Sequence, residues 1–214
     1  MHLSQVSVIC FIVRFQTVQL TSKLTRRRNS WLRFASLTIL ANHYLACYLG
    51  VIRPGRMEPF NLDKHIWTQD DFKYMGWHDA TIWSCFANTE TYEFSFDLDY
   101  IFKWVDPQGT DKYFKFWVAP VTMVFENVSD VKFDIESRQG DIEIANLYME
   151  NPKLTPNGKF TEHTFRFECQ EGVITLQATS FKMYVRQNPT LSEYQSLNLD
   201  MRGGVNFGKM FKAL

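Results

Sequence analysis

From Thr81 onward the chain alternates apolar and polar residues with a period of two. In TYEFSFDLDYIFKWV (91–105), Tyr92, Phe94, Phe96, Leu98 and Tyr100 alternate with Glu93, Ser95, Asp97 and Asp99. That is the pattern of a half-buried strand with one acidic, solvent-facing side. DPQG (106–109) supplies turn chemistry. A second long apolar run, 113–128, contains Pro120, which must sit at an edge, a bulge or a break because it has no N–H to donate. Shorter runs follow at 131–137 and 142–150, with RQGD (138–141) as the turn between them. The segment 151–159 holds two prolines and an Asn-Gly pair and predicts a loop. The runs 160–170 and 173–187 flank Glu171-Gly172 and predict a β-hairpin, and 188–197 predicts a capping turn. Ahead of these strands, 61–77 predicts a short helical turn capped by Thr68, with Asp70 and Asp71 in its first turn. About seven strands joined by short turns, without a sustained period of 3.6, define a mainly β protein. The expected architecture is a curled antiparallel sheet or a two-sheet sandwich with one or two short helices.

Charge divides the 214-residue chain into unequal parts. Residues 1–56 carry eight basic residues and no Asp or Glu, whereas 57–214 hold 15 basic and 23 acidic residues. The formal net charge of zero therefore conceals +8 followed by −8, with the boundary at Met57. Three readings compete for 1–56: a reading frame extended upstream of a true start at Met57, a membrane segment, or a targeting sequence. The membrane reading rests on 34–52, nineteen residues free of Asp, Glu, Lys and Arg, behind the Arg26–Arg28 triplet. Asn42 and His43 fall in the middle of that span and weigh against it. The domain division is thus a basic segment 1–56, a β-rich domain 57–200 and a flexible tail 201–214. The expected location is the cytoplasm, with a membrane anchor through 34–52 as the alternative.

Chemistry-bearing motifs are few. No CxxC spacing occurs among Cys10, Cys47, Cys85 and Cys169, and the last two lie in apolar runs that suit buried thiols of a reducing compartment. A single bridge between Cys85 and Cys169 is the alternative. The chain has no G-x-S-x-G elbow and no P-loop, and GGVNFG (203–208) lacks the strand and the acidic partner of a dinucleotide site. A net-acidic domain does not suit nucleic acid. The most conspicuous candidate is Trp77-His78-Asp79, just ahead of the first strand. A small metal-dependent hydrolase using His78 and Asp79 is the alternative function, but no HxH or HExxH spacing supplies further ligands. No cofactor is expected. A structural role is simpler, with the Asp accepting backbone amides at the strand entrance and Gly76 permitting the turn.

GWHDATIW (76–83), the aromatic alternation after it and MVFENVSDVKFDI (123–135) together resemble small bacterial β-rich domains, some grouped with immunity proteins of polymorphic toxin systems. In that pattern an aromatic-His-Asp element opens the first strand, here Trp77, His78 and Asp79. A later Phe-x-x-Val segment, here Phe125 and Val128, introduces another. The resemblance spans about 57–150 and implies a non-enzymatic inhibitor that blocks a toxin, often through an acidic face. Trp77, His78 and Asp79 are then expected binding residues, joined by Glu93, Asp97 and Asp99, whose acidic strand face by itself suits a protein partner such as a basic toxin domain.

Overall fold

A computed structural model of the chain describes residues 60–212. The boundary at Met57, the segment 1–56 and the candidate span 34–52 lie outside the described residues. Within them, no helix is long and apolar enough to cross a membrane.

The elements are β1 (Ile66–Thr68), a 3-10 helix (Gln69–Tyr74), β2 (Ala80–Asn88), β3 (Glu93–Val105), β4 (Lys115–Glu126), β5 (Ser129–Ile135), β6 (Glu143–Leu154), β7 (Thr161–Cys169), β8 (Gly172–Ala178), β9 (Ser180–Val185), β10 (Thr190–Ser192) and the single-turn helix α1 (Leu199–Arg202). The strands form one antiparallel sheet in the order β1-β9-β4-β3-β2-β6-β7-β8-β5, with β10 pairing β4. The sheet is not closed: β1 and β5 are its two ends. The mainly β expectation holds in its curled-sheet form.

The fold over is made at one weak seam. β2 pairs β3 along most of its length but meets β6 only at Ala80↔Ile144 and Thr81↔Glu143. The sheet turns there, and its two halves face each other across an aromatic interior. Phe96 meets Phe167 at 4.9 Å, and Phe125 meets Phe165 at 4.9 Å and Phe181 at 5.8 Å between ring centroids. Tilted and edge-on pairs of this kind add about 0.5–1.5 kcal/mol each beyond the area they bury. Cys169 is part of this core, and burial, then the charge of Glu171, pushes its thiol up to about 12.

Several local expectations require correction. The run 173–187 is two strands, because Thr179 breaks it: β8 joins β7 and β5, while β9 joins β4 and β1. The predicted loop 151–159 begins as strand, since β6 continues to Leu154. In 188–197 lies the short strand β10, paired with β4, rather than a capping turn alone. Pro120 is tolerated inside β4 because its carbonyl accepts the Arg186 N–H at 3.0 Å. A residue's N–H and C=O point the same way in an antiparallel strand, so the missing donor faces the gap between β10 and β9. The 3-10 helix follows Thr68 as expected, and the Asp71 carboxylate accepts the Thr68 N–H at 2.8 Å.

The larger correction concerns the outer face of β3. Phe94, Phe96, Leu98 and Tyr100 face the core as the alternation predicts. Asp97 and Asp99, expected on a wet face, are fully buried. The segment after β9 crosses the outside of the sheet and covers them, so residues 201–212 are a packed strap rather than a loose tail. Arg202 Nη2 donates to Asp97 at 2.5 Å, and its Nε donates to Asp99 at 3.2 Å. Arg186 Nη2 donates to Asp97 at 2.6 Å. The backbone amides of Leu197 and Asn206 donate to Asp99 and Asp97 at 2.8 and 2.9 Å. Burial pushes the Asp99 carboxyl up, while Arg202, the Leu197 amide and the Trp83 indole N–H oppose that shift. Two carboxylates balanced by two guanidiniums thus tie the strap to the sheet.

Candidate functional site

The chain enters β2 through a turn in which the Ala80 N–H donates to Trp77 O at 3.2 Å. Asp79, at the third position of this turn, holds φ 63° and its N–H donates to Ile144 O at 2.8 Å. The left-handed residue is therefore Asp79 and not Gly76, whose N–H instead donates to the Tyr100 hydroxyl at 3.0 Å. Trp77 turns inward, nearly fully buried, with its ring edge-on to Tyr100 at 5.4 Å. It is a core residue and presents nothing to a partner.

His78 turns outward, its side chain 64% exposed, with Nδ1 at 3.2 Å from Asp79 Oδ1. The buried Asp79 carboxylate also accepts from Gln195 Nε2 at 2.7 Å, a side chain of the segment that leads into α1. Its partners are side chains, not the backbone amides expected from the sequence. Opposite Thr81 on β6 stands Glu143, whose N–H donates to Glu171 Oε2 at 2.9 Å. The Glu143 carboxyl is pushed up to about 6, first by burial, then by its hydrogen bond with Asp79 and the charges of Asp79, Glu171 and Asp141. Asp79 and Glu143 therefore share a hydrogen bond beneath His78, and the charges of Glu171 and Asp141 reach Glu143.

An aromatic row adjoins them. His78 stacks on Trp104 with ring centroids 5.9 Å apart and planes 11° from parallel. Trp104 meets Phe116 at 5.0 Å and Phe114 at 5.7 Å, both edge-on. A strict alternation along β3 would place Trp104 inside with Phe94, Phe96 and Tyr100. The register shifts between Ile101 and Lys103, however, and Trp104 pairs with Phe116 on the outer face. One extra residue reverses the side on which every later side chain emerges. Trp104 consequently stays 40% exposed in a strand that is otherwise largely buried. Beyond Phe114 lies a cleft of about 340 Å³ whose lining includes Tyr113, Phe114, Glu193 and Tyr194.

Of the six residues expected to bind, His78 lies on the surface and Asp79 just beneath it. Trp77 is in the core, Asp97 and Asp99 are under the strap, and Glu93 has both carboxylate oxygens 3.3 Å from Lys209 Nζ. Sequence reading missed Trp104, Phe114, Glu143, Glu193 and Tyr194. Only KYF (112–114), aromatic residues just past a turn, gave a hint of exposure. Among the described residues no three His, Cys, Asp or Glu side chains converge in a way that would hold a metal ion. No protein-family model, curated protein or solved structure matches the chain.

Proposed function

We propose that this chain is a non-enzymatic binding protein that captures a basic protein partner on the surface formed by His78, Trp104 and Phe114 with the neighbouring carboxylates. The observation that carries this reading is an exposed aromatic row, His78–Trp104–Phe114, whose His78 end lies 3.2 Å from the Asp79 carboxylate, with Glu143 hydrogen-bonded to Asp79 behind it. Partially exposed aromatics are the usual anchors of protein interfaces, and like charges held together favour a cation from outside. Residues 60–212 hold 15 basic and 22 acidic residues, a net of −7, and the Asp97–Asp99–Arg186–Arg202 network is neutral. The excess negative charge therefore belongs to the remainder of the domain, where it speeds encounter with a basic partner. Occlusion of a toxin domain, as the likeness to immunity proteins implies, is the specific form of this proposal.

The tagged full chain, produced in its own host, is expected to retain a basic protein at low ionic strength and release it at high. Trp104→Ser should weaken that complex by about tenfold or more, about 1.4 kcal/mol, while leaving the denaturation midpoint nearly unchanged. Co-production with the retained protein should restore growth that this protein alone suppresses. A complex that Trp104→Ser leaves intact, or the absence of any stoichiometric complex, overturns the proposal.

A further inference from the structure

The aromatic row ends at a cleft formed by the β3–β4 loop and the residues just after β10, and the chemistry of its walls is specific. Tyr113 and Tyr194 are 80% and 75% exposed, although most of the domain's large apolar side chains are buried or half-buried. Phe114 joins them in the lining and connects the cleft to Trp104 at 5.7 Å. Asp111, Lys112 and Lys115 line the cleft as well: Lys115 donates to Asp111 at 2.9 Å, and Lys112 is exposed to solvent. Among the described residues Glu193 is the lining carboxylate with no such partner, its charge acting on Lys115 through space.

Among the described residues an aromatic face and a carboxylate together hold both kinds of cation. Lys64 lies 4.8 Å over Trp67 and pairs with Asp71, and Lys209 lies 5.9 Å over Tyr184 and pairs with Glu93. Two guanidiniums sit closer to their rings. Arg166 lies 4.1 Å over the Tyr148 ring, with Nη2 donating to Glu150 at 2.8 Å. Arg202 lies 4.5 Å over the Trp83 ring, with Nε donating to Asp99 at 3.2 Å. A planar guanidinium suits this arrangement best because its flat face stacks on the ring while its edge presents a fork of donors to the carboxylate, whereas an ammonium is a point charge without a flat face. The cleft offers the same components, tyrosine rings and the Glu193 carboxylate. Its volume of about 340 Å³ is at the small end for a ligand pocket and fits one long side chain.

We infer that the Tyr113–Tyr194 cleft is the anchor pocket for an arginine side chain of the protein partner. The inference rests on the binding role proposed above and names the chemistry that this surface selects. The guanidinium stacks on the tyrosines and takes Glu193 as its carboxylate, while the Trp104 row covers the adjoining part of the partner.

The probe is the tripeptide acetyl-Gly-Arg-Gly-amide, titrated into the isotope-labelled full chain and compared with the same peptide carrying citrulline, which keeps the shape and loses the charge. Saturable amide shifts are expected at residues 111–115 and 193–195. Citrulline, and the Tyr113→Ala/Tyr194→Ala double variant, should each bind about tenfold more weakly or worse. Both tyrosines are largely exposed, so the double variant should keep the wild-type denaturation curve. Equal shifts with citrulline, or shifts centred elsewhere, overturn the inference. If the double variant holds the protein partner as tightly as wild type while Trp104→Ser releases it, the arginine pocket fails and the binding role stands. If the arginine peptide binds the cleft but the full chain retains no protein, the pocket stands and the binding role fails.

Discussion

Asp79 holds a left-handed backbone that costs a non-glycine residue about 1 kcal/mol, and a short polar side chain tolerates it best. That conformation turns His78 out and Trp77 in, so one residue separates a core side chain from a surface one. It also delivers a carboxylate to Glu143, whose proton is held up to about 6. Between the ordinary value of 4.5 and that folded value, the native chain keeps a proton that the unfolded chain has released. Stability from this group therefore falls as pH rises across the window. Glu143→Gln should be more stable than wild type at neutral pH, and its advantage should shrink as pH drops from about 6 toward 4.5. Denaturant midpoints taken at several pH values check this, and an advantage independent of pH would contradict it.

Bulges and glycines decide where each strand's pattern is read. The shift in β3 sends Trp104 outward, and a second shift, between Ile82 and Ser84 in β2, lets Trp83 donate to Asp99 at 2.9 Å. Gly172 starts β8 directly against β5, at φ 140°, where an added Cβ would lie 2.1 Å from the Asp134 carbonyl oxygen. That oxygen is backbone within a paired strand and cannot step aside. Gly172→Ala should cost about 2 kcal/mol or more and loosen the β5 end of the sheet. Urea titration with hydrogen exchange at 129–135 measures both effects, and a change within experimental error would show that β5 can shift.

The strap and the curled sheet depend on each other through the buried ion network. Arg202 stacks on Trp83, binds both aspartates and donates to Gly204 O at 2.6 Å. Arg202→Met should leave the Asp97 and Asp99 carboxylates facing a single guanidinium, at a cost of about 3–5 kcal/mol. The Leu197 and Asn206 amides should then exchange faster, and Gln195 should lose its position on Asp79. Calorimetry and hydrogen exchange test this; a loss under about 1 kcal/mol with unchanged exchange would mean the network contributes little. Glu193 and Tyr194 lie on the segment between β10 and this strap, so the proposed binding surface depends on the strap's anchorage.

Alternation and turn chemistry determined a great deal: a mainly β domain, the inward set Phe94, Phe96, Leu98 and Tyr100, the turn at Glu171-Gly172 and the capped turn after Thr68. These features follow from side chains and neighbours close along the chain, where period and turn chemistry act directly. The acidic alternation at Asp97 and Asp99 was misread as a wet surface, because burial of the outer face is decided by Arg186 and Arg202, some ninety to a hundred residues later. Tertiary structure alone decided the side taken by Trp104, the meeting of Asp79 with Glu143, and the cleft between Tyr113 and Tyr194. Each depends on a one-residue bulge or on a contact between distant segments, and neither leaves a periodic trace in the sequence.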